Sequence, residues 1–400
     1  MSAPAPAAAL LQTAPPADLH AELLDCLQVN LAWLARTEYG VSPLVLGARL
    51  EFAPRDDGPG RLPTVEPATD THVERTAGAL GLSLTDRRSL PPGTAALPAG
   101  PGTLYVIADA YHLPWVPYHG RTHMDHSFLL DRDPSGRAVV RDGYHNDTPY
   151  GPARPGTWTL TEAELARALP DGARVHRTAR AGLPQDATTV TAPPSAAIGS
   201  YVRAYREHPD REQALGQLTL ETWLLARARR LHAAHRAAAG DPAPAVEQHL
   251  RAWGKLAEQT FLAHRRVQRG RPEPVGPLAG LADLLHADAQ VFTAPCPAHT
   301  AVPTAAGVVP AGTGSPDTNA LRTAVAEEAA AVLRVPVAEL LAGRPLTEIP
   351  GFGSFRMVDI VERIEDRLGI EFDADDLVPE NLHDLDGLSR ITARAHRETP

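Results

Sequence analysis

Apolar residues recur at helical spacing from Leu27 through Leu31 to Leu34, with Val29 and Trp33 beside them. That period predicts a helix over this stretch, ending near Tyr39 and Gly40. Asp25, a residue type that caps helix N-termini, stands just ahead of it. Val73, Ala77 and Leu80 share one face of a second, short helix at 71–80, between Pro/Gly-rich connections at 53–63 and 86–102. The period then changes. LYVIADAY (104–111), HSFLLD (126–131) and RAVVRD (137–142) are β-branched and apolar and read as strands. The turn DPSG (133–136) joins the last two into a hairpin. Thr161 and Glu164 form a capping-box pattern that opens a helix in TLTEAELARAL, and a short strand, ARVHRTA, closes this part of the chain.

Strand signals almost vanish between 194 and 270, where 201–206, 213–238 and 246–269 read as helices. Residues 293–316 contain no Asp, Glu, Lys or Arg and are rich in Pro, Thr, Ala and Gly. They predict a flexible linker spanning roughly 25–30 Å. Beyond it, Leu321, Val325, Ala329 and Val332, then Met357, Val361, Ile364 and Leu368, then Leu382, Leu385, Leu388 and Ile391 mark three amphipathic helices. The expected fold class is α+β. A disordered Ala/Pro-rich N-terminus (1–17) precedes a mixed domain (18–190). A helical subdomain (191–292), the linker (293–316) and an all-α domain (317–400) follow.

The composition, 43% hydrophobic and 22% charged, is that of a globular protein, and 39 prolines and 31 glycines fit its long irregular connections. A net charge of −10 argues against non-specific nucleic-acid binding. No secretory signal and no apolar run of membrane-spanning length is visible. The expectation is a cytoplasmic protein with reduced thiols and no membrane partner. Its two cysteines are Cys26 and Cys296, the latter flanked by prolines inside the linker and read as chemically incidental.

Cys26 admits two readings. It is a small buried hydrophobe, or a nucleophile whose place in a first helical turn lowers its pKa. A nucleophile needs a base and an orienting group. His20, His72, His112, His119, His123, His126 and His145 are the available histidines nearby in sequence. His126 opens an apolar strand, a rigid mount for an imidazole, and Asp142 ends the paired strand. Asp131, Asp133 and Asn146 are rivals for the orienting role. A metal set drawn from His112, His119, His123 and His126 matches no standard spacing, so no metal is expected. Trp115, Tyr118, His119 and Arg121 are expected in an aromatic loop beside the site.

The order Cys, His, Asp is that of papain-like enzymes. DCLQVNLAWLA, DAYHLPWVPYHGRTHMDHSFLL and VVRDGYHND resemble the butirosin-type acyltransferases of antibiotic biosynthesis, and HLRAWGKLAEQTFLAHRR is similar to that family's second domain. The resemblance runs from residue 18 to about 290. It implies a papain-like cysteine-enzyme domain that takes an acyl group from a carrier-protein thioester and gives it to an amine. Cys26 then matches the nucleophile, His126 the base and Asp142 the orienting acid. The oxyanion donor of this fold stands six residues before the cysteine, which here is His20 where related peptidases carry Gln. Gln28 and Asn30 are alternatives.

Residues 351–377, GFGSFRMVDIVERIEDRLGIEFDADDL, resemble the centre of a four-helix acyl carrier protein. The resemblance implies 4'-phosphopantetheine attached covalently to Ser354. Gly353 stands where that family has Asp, so a carrier that docks without being loaded is the competing reading. The acidic second helix suits a basic patch on a partner. Together the two resemblances imply an acyltransferase of secondary metabolism. Its partners are a small-molecule amine, an acyl-loading enzyme, a phosphopantetheinyl transferase, and its own or a separate carrier. A cysteine thioesterase or peptidase-like hydrolase or cyclase, and a non-catalytic scaffold presenting a carrier, are the alternatives.

Overall fold

The computed structural model describes residues 14–58, 60–93, 102–183, 188–240, 244–274, 276–293, 316–350, 352–373, 376–377 and 379–398. Residues 1–13 and 294–315, which hold most of the expected N-terminal segment, most of the linker and Cys296, lie outside them. Helix and sheet are mixed along the chain. Two units form. The first comprises Met1–Asp56, Thr64–Ala192 and Arg227–Pro242, the second Asp57–Pro63, Pro193–Ala226 and Ala243–Pro400.

In the first unit the strands are β1 (Arg49–Leu50), β2 (Leu82–Leu90), β3 (Leu104–Asp109), β4 (Asp125–Arg132) and β5 (Ala138–Asp142). β6 (Asn146–Thr148), β7 (Gly151–Ala153), β8 (Gly156–Leu160), β9 (Ala173–Arg180) and β10 (Thr189–Val190) follow. Six of them make one antiparallel sheet in the order β2-β9-β3-β4-β5-β8. The helices are α1 (Gln28–Tyr39), α2 (Thr69–Ala79) and α3 (Glu162–Ala168). Tyr105, Ile107 and Leu129 face α1, sharing a core with Leu31, Trp33 and Leu34. Val106, Phe128, Leu130 and Val140 share the opposite core with Leu165 of α3. β3 and β4 are therefore covered on both faces, which is why they read as apolar runs and not as alternating strands.

Local chemistry sets the helix ends. The capping box of Thr161 and Glu164 opens α3 as expected. Gly40, with φ 69°, closes α1 in the left-handed conformation that glycine adopts without a Cβ penalty. β2 escapes a pattern search because its middle, Asp86 to Ser89, is largely exposed and charged. β8 is only five residues of half-exposed GTWTL.

In the second unit lie α4 (Ser195–Glu207), the first part of α5 (Arg211–Ala238), α6 (Pro244–Gln268) and α7 (Gly276–Thr293). With them are α8 (Pro316–Leu333), α9 (Val337–Leu341), α10 (Ser354–Leu368), α11 (Pro379–Leu382) and α12 (Leu385–Glu398). α8 packs on α10 and α12 around Val325, Ala329, Ile360, Ile364, Leu388 and Ile391. Leu262 of α6 belongs to the same core. The helical subdomain and the C-terminal helices, expected as separate bodies, thus share one unit, while the last part of α5 belongs to the other. No described helix is long and apolar enough to cross a membrane.

The turn Pro43–Gly47 lies against α5 so closely that a Cβ on Gly47 would overlap the Leu231 carbonyl oxygen. Backbone cannot yield as a flexible side chain does. Gly47→Ala is expected to destabilise the first unit by about 1–3 kcal/mol. A urea unfolding midpoint equal to that of the parent would show that this close approach does not exist.

Candidate active site

Cys26 sits in the turn that starts α1. Asp25 is the effective cap: its carbonyl accepts the Val29 N–H at 3.0 Å, and its Oδ1 accepts the Leu27 and Gln28 N–H groups at 2.9 Å each. Gln28 Oε1 accepts the Asp25 N–H in return at 3.2 Å. The reciprocal pair has the i, i+3 spacing of a capping box, with Asp and Gln in its two places. The other Asp25 oxygen meets His72 Nε2 of α2 at 2.7 Å.

The carbonyls of this turn are pinned by three side chains. Ser127 Oγ of β4 donates to the Cys26 carbonyl at 2.5 Å. Tyr105 Oη of β3 donates to the Leu27 carbonyl at 2.9 Å. Arg227, buried near the end of α5, donates to the Leu24 carbonyl, and to the Glu22 and His145 carbonyls at 3.3 Å each. Nothing in the sequence signals Arg227, which arrives from two hundred positions away.

His126 and Asp142 come together as the hairpin spacing suggests. Both are buried, and His126 Nε2 stands 2.7 Å from Asp142 Oδ2. A carboxylate only accepts, so the neutral ring carries its proton on Nε2 and leaves Nδ1 as a bare acceptor. Nδ1 is buried and has no hydrogen-bond partner among the described residues. Asp142 Oδ1 is held by the Tyr144 N–H at 2.9 Å and by Asn30 Nδ2 at 3.4 Å. Asn30 also donates to the Ser127 carbonyl at 2.8 Å and accepts the Gly143 N–H at 2.9 Å, so one α1 amide ties β4 to the end of β5. The rivals go elsewhere. Asp131 pairs with Arg141, Asp133 closes the hairpin turn with Ser135 and Arg137, and Asn146 donates to Tyr144 Oη.

Cys26 Sγ lies 3.7 Å from the carbonyl of Asp125, the residue before His126. No hydrogen bond joins the sulfur to the ring. Burial pushes the thiol well above its ordinary value, the Asp25 and Asp142 carboxylates add to the rise, and only Arg227 opposes it appreciably. The expectation of a thiol acidified by its helix is therefore reversed: desolvation and two carboxylates outweigh the dipole. Tyr144 sets its ring edge to His126, centroids 5.4 Å apart, and its hydroxyl meets Tyr118 Oη at 3.3 Å. Tyr118 thus lines this side as expected of its loop. His20 is half-exposed, with backbone φ 52° and Nδ1 3.9 Å from Glu22, and no hydrogen bond joins it to the Cys26 and His126 group. Gln28 and Asn30 are engaged as described above.

The other histidines scatter. Among the described residues, His112 and His123 approach each other beside Asp109. His119 is exposed, and His126 belongs to the buried pair.

In the second unit Ser354 is the first residue of α10 and follows an extended Gly353. An open cleft beside Gly353 is lined by Phe352, Met357, Val361, Glu258 and Leu262. α10 is two-sided. Arg363 and Arg367 turn to Glu327 and Glu328 of α8. Glu362, Glu365 and Asp366 turn to α6 and the segment after it. Arg265 grips Glu362 with two bonds of 2.9 Å, and Arg269 meets it at 2.8 Å. Arg266 reaches Glu365 at 3.3 Å, and Arg271 reaches Glu365 at 2.5 Å and Asp366 at 3.0 Å. Phe261 meets Phe355 edge-on at 4.7 Å within this contact. No family model matches the chain, and no curated protein matches it.

Two outcomes are expected. Burial raises the Asp25 carboxyl, but His72 outweighs that and leaves it lowered; burial likewise depresses His72, and Asp25 outweighs it and leaves it raised. The Asp25 contribution to stability is lost as pH falls through its lowered value, and the His72 contribution is lost as pH rises through its raised value. Their pairing therefore stabilises the Cys26 turn most between the ordinary values of 3.8 and 6.5. Unfolding midpoints should fall from pH 6 toward pH 9 by more in the parent than in His72→Gln. Equal falls would remove the pair from the turn's stability. Secondly, reversing Arg265 and Arg269 to Glu leaves Glu362 buried beside like charge. Deuterium uptake should rise in 354–368 and 255–271 while 104–130 stays protected, and adding Glu362→Arg should restore part of the protection. Unchanged uptake would mean these pairs do not hold α10 against α6.

Proposed function

We propose that the chain is a papain-like cysteine acyltransferase of secondary metabolism whose residues 317–400 form an acyl carrier domain. The observation that carries the reading is the buried, unpartnered Nδ1 of His126. Its opposite nitrogen is fixed by Asp142, and the carbonyl of Asp125, the residue before His126, lies 3.7 Å from the Cys26 thiol. A buried polar atom without a partner is costly unless a proton or a reacting group uses it.

Cys26 is the nucleophile. Its thiol rests neutral, so ionisation accompanies attack: Nδ1 of His126 takes the proton as sulfur bonds to the thioester carbonyl carbon. Asp142 holds the ring in the tautomer that accepts it and stabilises the imidazolium. The Cys26 N–H, at the start of α1, supplies one donor for the oxyanion, with His20 the side-chain candidate. His126 returns the proton to the departing thiolate, which leaves an acyl group on Cys26. An amine then attacks that acyl group, His126 takes the amine proton, and the Cys26 thiol is restored as the amide departs.

Ser354 is the proposed attachment point for 4'-phosphopantetheine, which supplies a long arm ending in the thiol that carries the acyl group. The cleft at Gly353, lined by apolar side chains and by Glu258, supports this reading. The arginine face of α6 against the acids of α10 supports use of the carrier within the same chain, since it engages the acidic helix expected to dock on basic partners.

Coexpression with a phosphopantetheinyl transferase should add one phosphopantetheinyl mass to the intact chain, absent in Ser354→Ala. With a cognate acyl thioester, a further acyl mass should map to Cys26, disappear in Cys26→Ala and form about 10²–10⁴-fold more slowly in His126→Ala. Free acid alone, with every candidate amine, would convert the reading to a hydrolase. No adduct on Cys26 from any thioester, with product unchanged in Cys26→Ala, would leave a scaffold.

A further inference from the structure

β3 and β4 pair up to Asp109 opposite Asp125, and the chain between them makes a long excursion through residues 110–124. Both ends of that excursion carry a histidine. Asp109 Oδ1 accepts the Tyr111 N–H at 3.0 Å and the Met124 N–H at 3.2 Å, which fixes the carboxylate against the strand end. Its Oδ2 is turned outward to His123 Nδ1 at 2.6 Å. Tyr111 stacks flat on the His123 ring, centroids 4.2 Å apart and planes 8° apart, and sets its edge to His112 at 5.1 Å. One ligand-type atom each from Asp109, His112 and His123 lies within 4.8 Å of the others. His112 Nε2 also meets Asp171 Oδ2 at 3.0 Å, so a second carboxylate borders the group.

We infer that Asp109, His112 and His123 form a binding site for a borderline divalent cation, Zn2+ by preference, that staples the two ends of the 110–124 excursion. Two imidazoles and a carboxylate are the ligand set that such ions favour over Mg2+ or Ca2+, which take oxygen. Tetrahedral zinc with bonds near 2.0–2.1 Å needs ligand atoms about 3.3 Å apart. The 2.6 Å pair therefore opens slightly and the His112 atom closes in, small motions for side chains of which His123 is 68% exposed. Binding replaces the His123 to Asp109 hydrogen bond with two metal bonds, and the proton of the neutral ring moves from Nδ1 to Nε2. The fourth position falls to water or Asp171. Backbone donors on Asp109 and the Tyr111 ring on His123 supply the outer support that orients metal ligands. The excursion also carries Tyr118, whose hydroxyl meets Tyr144 beside His126, so an ion here would stiffen one wall of the candidate active site. The inference does not rest on acyl transfer.

The test uses the full chain, stripped with a chelator and titrated with ZnCl2 by calorimetry. One equivalent should bind with a micromolar or tighter constant. His112→Ala and His123→Ala should each weaken it by about tenfold or more, and His119→Ala, an exposed histidine on the same loop, should leave it unchanged. Co2+ added to the unaltered chain should give the strong visible absorption of a low-coordinate nitrogen-bearing site. Absence of that absorption, no heat with Zn2+, or equal binding by the His112→Ala/His123→Ala double variant would overturn the assignment.

Discussion

The seam between the start of α1 and the start of β4 holds the first unit's candidate site together. Ser127 donates to the Cys26 carbonyl, and Asn30 binds Ser127, Asp142 and Gly143 in one fan of hydrogen bonds. All of these groups are buried. Each is costly to leave unpaired, so the fan fixes the register of α1 on the sheet as well as its distance. The positions of the thiol, the imidazole and the carboxylate follow from that single fit. Arg227 and Tyr105 complete it by taking up the neighbouring carbonyls of the same turn.

The electrostatics of this seam favour a neutral resting thiol. Two carboxylates approach Cys26, one capping its turn and one orienting His126, and burial strengthens both effects. The same Asp142 carboxylate that disfavours a thiolate holds Nε2 of His126. A thiol so placed keeps its proton.

Arginine chemistry organises the second unit. The chain has a single lysine, Lys255, so its cationic contacts are planar forks. The two-bond grip of Arg265 on the nearly buried Glu362 needs that geometry, because a point-charge ammonium cannot satisfy both oxygens in parallel. Arg363 and Arg367 of α10 itself are occupied on its other side by Glu327 and Glu328. The acids are thereby left to α6, and the helix has a charge on each face with a partner assigned to each.

Periodicity and turn chemistry alone determined the α1 helix and its end at Gly40, the β4–β5 hairpin, the capping box of α3 and the amphipathic C-terminal helices. These are local signals, carried by residues a few positions apart. The meeting of His126 with Asp142 was legible for the same reason, since a hairpin turns sequence spacing into distance. Tertiary structure decided the rest. β2 is an exposed edge whose residues show little alternation, and Arg227 and Tyr105 act on Cys26 from remote elements. Asp109 joins His112 and His123 only because an excursion returns to the strand it left. Position in a helix does not set the pKa of Cys26, because how much water the fold removes and which carboxylates it brings near are properties of the packed chain and not of any segment of it.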